Sequence, residues 1–310
     1  MRHSKLFVLY WFLCGLFFSN VLFAAPLNVF VSVLPQKTFV ERIGGEQVNV
    51  EVMVQPGHSP HTYEPTPRQV SALAESDLYI RIGVPFEDAW IPRIQATNPN
   101  LKILDLREGI SLRRLEAHHH HDDDHHHHHN HSHSHHHHQQ PTTHHHHSDL
   151  DPHIWTSPRL VRIMAERIRD QLSLLDPDHA DYYRHTQQVF DDELAILDRH
   201  LRARLEPLQY RRFLVYHPAW GYFADDYGIE QIAIEHQGKE PGARRLNALI
   251  NQAREVGARV VFVQPQFDRR SAETVARAIN GRVEVIDPLA LNYAENLLNV
   301  AELIATASGH

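Results

Sequence analysis

Nineteen of the chain's 29 histidines fall in one stretch, HHHHDDDHHHHHNHSHSHHHHQQPTTHHHH. They are His118, His119, His120, His121, His125, His126, His127, His128, His129, His131, His133, His135, His136, His137, His138, His144, His145, His146 and His147. Imidazole is the commonest metal-donating side chain, so this tract has the chemistry to gather divalent cations. It contains no apolar residue able to help form a core, and a disordered surface loop over 117–149 is expected. A flexible segment must be ordered around every ion it takes, so its sites should be several, weak and interchangeable. A tight site has to be sought in quieter residues.

In an open α/β sheet, ligands bind beyond the carboxyl ends of the strands. His61 follows VNVEVMV in the loop PGHSPHTYEP, His217 closes RRFLVYH, and Asp287 closes VEVID. His153, in DPHIW, stands just before a helix start. Three neutral imidazoles and one carboxylate at about 2.0–2.2 Å suit four-coordinate zinc, whereas manganese gathers more oxygen donors. A closed set of four leaves no position for a reactive water, which makes the site a holder rather than a catalyst. Each residue also has a structural alternative. His217 can pack beside Trp220 and Tyr222, Asp287 can start the turn Asp-Pro-Leu, and His61 and His153 can be surface or capping residues in loops stiffened by proline. The case therefore rests on their shared placement. His58 competes with His61 for its role. Glu64 is read as a backbone acceptor, His179, His185 and His200 as a solvated helix face, and His236 as a loop residue near the cleft mouth.

The elements that must position these donors alternate regularly. NVFVSVL, VNVEVMV, LYIRIG and LKILDL read as strands separated by helical segments, and after Pro207 the alternation restarts with RRFLVYH, EQIAIEH, RVVFVQ and VEVID. That pattern predicts an α/β protein of two lobes, each with a mostly parallel four-stranded sheet flanked by helices. Gly44 and Gly45 supply a helix stop in the first lobe. Between the lobes, residues 177–206 contain no interior Gly or Pro, and as one rigid backbone helix they would span roughly 45 Å. The boundaries expected are a first lobe over 26–156, a helical segment over 157–206 and a second lobe over 207–310.

Residues 1–25 carry Arg2 and Lys5, an apolar run from Leu6 to Phe18, and then Ala24 and Ala25. That order predicts a cleavable signal peptide and a periplasmic mature chain; no other run approaches spanning length, so a soluble chain is expected, and a monomer with it. Phe12 and Leu13 stand where a lipoprotein would have small residues before Cys14. Cys14 is the chain's one cysteine and leaves with the signal, so neither disulfides nor thiolate-bound metals are available to the mature protein. A formal charge of −8 argues against a nucleic-acid partner. No glycine-rich phosphate fingerprint follows the first strand and no Gly-x-Ser-x-Gly elbow occurs, which removes support from dinucleotide and serine-hydrolase readings.

PGHSPHTYEPTPRQ, DPHIWTSPR, VYHPAWGYFADDYGIEQIAIE, GKEPGARRL, FVQPQF and VIDPLA, in this order over nearly the whole mature chain, resemble the zinc/manganese solute-binding proteins of bacterial ABC importers, the ZnuA-like group. The resemblance implies two lobes on a backbone helix, a metal buried between them, and an ABC membrane permease as partner. It places the metal ligands on His61, His153, His217 and Asp287, with histidine rather than glutamate at 217 favouring Zn²⁺. The fourth ligand varies among such proteins, so Asp287 or water fills that position. The disulfide of some zinc-type members is missing here. The rival readings are a manganese or other divalent-metal protein of the same importer class, a secreted zinc hydrolase with Asp287 as base, and a metal buffer in which the tract is the whole function.

Overall fold

The computed structural model describes residues 25–115, 150–235 and 241–308. The signal peptide expected at 1–25, the tract at 117–149 and His236 lie outside the described residues, apart from Ala25.

Eight strands form two separate sheets. The first holds β1 (Leu27–Val31), β2 (Val48–Val52), β3 (Leu78–Arg81) and β4 (Lys102–Asp105) in the order β2-β1-β3-β4. The second holds β5 (Arg212–Val215), β6 (Glu230–Ala233), β7 (Val260–Val263) and β8 (Arg282–Val285) in the order β6-β5-β7-β8. All pairings are parallel, so the two lobes repeat one topology without repeating a sequence. In the second sheet the order reverses between β5 and β7, which opens a crevice at their carboxyl ends.

Nine helices are described: α1 (Leu34–Gly44), α2 (Pro67–Ala74), α3 (Pro85–Thr97), α4 (Pro158–Leu175), α5 (Ala180–Leu205), α6 (Gly221–Tyr227), α7 (Ala243–Glu255), α8 (Arg269–Ala278) and α9 (Tyr293–Ala307). Their ends follow local chemistry. Thr66 caps α2 by accepting from the Gln69 backbone N–H, while the Gln69 side chain accepts from the Thr66 N–H. Gly45 ends α1 at a φ of +53°, and any Cβ there would meet the Tyr182 hydroxyl of α5. Residues 177–206 do not form one unbroken helix. A 3-10 turn over Pro177–His179 comes first, with Asp176 accepting from His179 Nδ1, and α5 then runs for 26 residues.

Side-chain alternation along the second sheet shows where the core sits. Phe213, Val215, Val260 and Phe262 join an apolar cluster that continues through α4, α5 and α9 into the first lobe, while Leu214, Val261 and Val263 face a smaller cluster under α7 and α8. The two lobes therefore share one continuous apolar core, with Leu201 and Leu205 of α5 fully buried in it. Polar bonds reinforce the join. Thr38 on α1 donates to the Leu291 carbonyl across 2.7 Å, and Ser157 donates to Asp226 across 2.6 Å. Among the described residues, no helix is long and apolar enough to cross a membrane.

Candidate metal centre

Three histidines from distant parts of the chain meet between the lobes. His61 lies in the loop between β2 and α2, in a run of Pro and Ser whose turns replace regular structure. His153 caps the 3-10 turn Ile154–Thr156 ahead of α4, and His217 follows β5 at the point where the second sheet's order reverses. One ring nitrogen from each lies within 4.8 Å of the others. Nε2 of His217 stands 3.2 Å from Nε2 of His61 and 3.4 Å from Nε2 of His153. Donors about 2.0–2.1 Å from a tetrahedral centre are separated by about 3.3 Å, so these two spacings match two edges of a zinc-sized tetrahedron.

What orients the rings is buried behind them. Nδ1 of His153 donates to Asp151 Oδ1 across 2.7 Å, and Nδ1 of His217 donates to Glu235 Oε2 across 2.8 Å. A carboxylate beside Nδ1 holds the proton there and leaves the Nε2 lone pair pointing at the centre. Asp151 and Glu235 are 1% and 3% exposed, so their charges act at short range and little screened by water. Gln264 fixes the His217 backbone from both sides, its oxygen accepting from the N–H and its amide donating to the carbonyl. Phe267 stacks on the His217 ring at 4.9 Å, and Trp155 packs against His153 at 5.2 Å. His61 is the most accessible of the three. Its backbone N–H donates to Ser59 Oγ across 3.3 Å.

Burial, with the neighbouring His217 and His153, lowers the His61 pKa to about 3. Burial also lowers His217, against the opposing pull of Glu235. Rings so shifted are neutral at physiological pH, with lone pairs available to a cation. The space between them is about 20 Å³, walled by Pro60, Trp155, Gln266, Phe267, Pro288 and Leu289 along with the three histidines. A single water needs about 10–15 Å³ of such volume, so the cavity admits one small occupant.

Asp287 does not join this group. Its Oδ1 accepts from Gln266 Nε2 at 3.0 Å and from the Leu289 N–H at 2.9 Å, next to Pro288 and Leu289 of the cavity wall. His58 packs edge-on against Tyr63 at 5.9 Å, outside the group, and Glu64 is exposed. His185 and His200 are exposed on α5. Asp151 and Glu235 were not expected from the sequence, although each left a trace there. Asp151 is two residues before His153 in DPHIW, and Glu235 leaves β6, the neighbour of β5.

Residues 29–307 match the family model described as zinc-uptake complex component A periplasmic. The chain is 40% identical over 252 residues to the high-affinity zinc uptake system protein ZnuA of Paracoccus denitrificans (strain Pd 1222), covering 78% of this chain and 76% of the relative. A crystal structure of ZnuA superposes with a TM-score of 0.80 at 38% identity, covering 92% of this chain and 100% of that one. A ZnuA deletion mutant with zinc bound matches with the same score and identity, covering 92% and 99%. With its whole two-lobed body matched, the chain belongs to the zinc-uptake complex component A periplasmic family.

Proposed function

We propose that this protein captures one Zn²⁺ outside the cytoplasm, holds it between its lobes, and delivers it to an ABC-type membrane permease. The observation that carries the reading is the convergence of three histidine ring nitrogens within 4.8 Å of one another, with His217 Nε2 3.2 and 3.4 Å from the other two and two of the rings backed by buried carboxylates. His61, His153 and His217 are the ligands in this reading. The fourth position goes to Asp287, by exchange of its Gln266 bond for the metal, or to a water. Nitrogen donors favour zinc over manganese, and Asp151 and Glu235 offset the double charge of the cargo.

The protein acts without catalysis in this reading. Residues 118–147 serve as an accessory, low-affinity zinc-gathering segment. They end six residues before His153, close enough to raise the local concentration of zinc at the site. The apolar run at the N-terminus, following Arg2 and Lys5, supports export to the periplasm.

The test is titration with Zn²⁺ and Mn²⁺ of the full chain beside His61→Ala, His153→Ala and His217→Ala. One tight zinc, lost in each variant, is the expected result. A tight zinc that survives all three substitutions would overturn the assignment.

A further inference from the structure

We infer that Gln264 is a positioning residue for metal capture: its side-chain amide holds the backbone of His217 where the second sheet ends, and so sets where that ring's Nε2 stands. The inference rests on the metal-holding reading above and adds to it the group that places one of the three donors.

The need for such a residue follows from the fold. β5 and β7 are bonded neighbours as far as Tyr216, whose N–H donates to the Phe262 carbonyl across 2.7 Å. His217 comes next, and Pro218 after it has no N–H to donate. The ladder to β7 therefore stops one residue short of the ligand, inside the protein, where His217 is 6% exposed. Its N–H and carbonyl still require partners. Gln264, the residue after β7 and itself 1% exposed, meets both. Its Oε1 accepts from the N–H at 3.3 Å and its Nε2 donates to the carbonyl at 2.8 Å. The amide thus serves as one more rung between the two strands. Both of its polar atoms are taken by the His217 main chain, so Gln264 holds the ligand without being one.

The same strand exit supplies more of the grip. The Phe267 N–H donates to the Gln264 carbonyl at 3.2 Å, in a turn that lays the Phe267 ring on His217 at an interplanar angle of 22°. Glu235 fixes the rotation of the imidazole through Nδ1, Phe267 covers its face, and Gln264 anchors the backbone from which it hangs. Without that anchor the distances from His217 Nε2 to the other two rings lose their fixed origin.

The first lobe provides an internal comparison. Its sheet order reverses between β1 and β3, and there too a buried glutamine spans the break. Gln36 Oε1 accepts from the Ser32 and Val33 N–H groups, at 3.0 Å each, and Nε2 donates to the Ile80 carbonyl at 3.0 Å. The residue at that exit is Ser32, whose hydroxyl bonds Tyr79 and Glu87. Two glutamines secure two strand exits, and one of those exits bears a metal donor.

The experiment compares Gln264→Leu with Gln36→Leu in the full chain. Zinc is read by titration against a competing chelator, Co²⁺ by its visible absorption, and apoprotein folding by melting. Leucine keeps most of the bulk and removes both polar atoms. Partners that orient a metal ligand are worth about 10- to 100-fold in affinity, so Gln264→Leu is expected to weaken zinc by about tenfold or more. It should also change the Co²⁺ bands, which report the arrangement of the donors. Gln36→Leu, which breaks three buried bonds, should lower the melting temperature and leave zinc affinity and the Co²⁺ bands as they were. Unchanged zinc affinity in Gln264→Leu, or an equal loss in the two variants, overturns the inference. If Gln264→Leu does not fold, Gln264→Asn, whose amide is one methylene too short to reach both groups, is judged by the same outcomes. Failure of the unmodified chain to bind zinc would instead overturn the functional reading on which this one stands.

Discussion

Trp155 Nε1 donates to the Pro288 carbonyl across 2.7 Å, a buried bond that joins the segment bearing His153 to the loop bearing Asp287. Both residues wall the metal cavity, so the bond closes one side of it. Trp155→Phe keeps most of the ring and removes the donor. A buried carbonyl left without its partner costs about 1–3 kcal/mol, so denaturant unfolding should show a loss in that range. Zinc affinity should fall less than in any of the three histidine variants.

Glu235 supplies the acceptor that fixes the His217 tautomer. Glu235→Gln preserves shape but removes the charge, and zinc affinity should drop by roughly 10- to 100-fold. Glu64→Gln, on an exposed residue outside the group, is the control and should leave the dissociation constant unchanged. Equal effects from the two substitutions would remove the basis for a carboxylate-backed ligand.

Asp287 accepts from Gln266 and Leu289 in this structure. Asp287→Ala is therefore expected to weaken zinc less than His153→Ala or His217→Ala, whose rings point into the centre. Competition titration of the three variants side by side checks the order.

The depressed pKa values of His61 and His217 give a signed pH dependence. Between about pH 3 and the ordinary histidine value of 6.5, the unfolded chain carries more protons at His61 than the folded one. The apoprotein's stability from this residue is thus complete above pH 6.5 and lost as pH falls toward 3. Apoprotein melting temperature should decline across that window. Imidazoles of the tract, if they titrate near the usual value of about 6.5, release their zinc first on acidification, before the cleft does. Metal stoichiometry followed from pH 7 to pH 5 should fall to one before it falls to zero.

Deleting residues 118–147 removes nineteen imidazoles and none of the three that converge. One tight zinc per chain should remain, with the weaker equivalents gone. A stoichiometry of zero in the deletion variant would make the tract the principal site.

The strands were legible because each is a short β-branched run ended by turn residues, and the parallel order followed from their alternation with helices. The three histidines that meet were legible by their places at strand exits or beside proline. The exits themselves came two residues early. β5 ends at Val215 and β8 at Val285, because the next residues bond across the ladder without extending it, as Tyr216 does to Phe262 and Ile286 to Val263. Asp151 and Glu235 were harder to read. A carboxylate that serves a ring nitrogen needs only to be near it in space, and in the sequence Glu235 is 18 residues from His217. Asp287 shows the converse. It has the right chemistry near a strand end, yet its own turn and Gln266 use Oδ1.

A chamber of about 20 Å³ cannot accept a cation in its full coat of water. A cation held by the three ring nitrogens has to give up aqua ligands for them. Ions that surrender water reluctantly, Mg²⁺ foremost, meet a barrier at the threshold before donor preference is ever consulted. The tightness of the chamber is thus itself a filter.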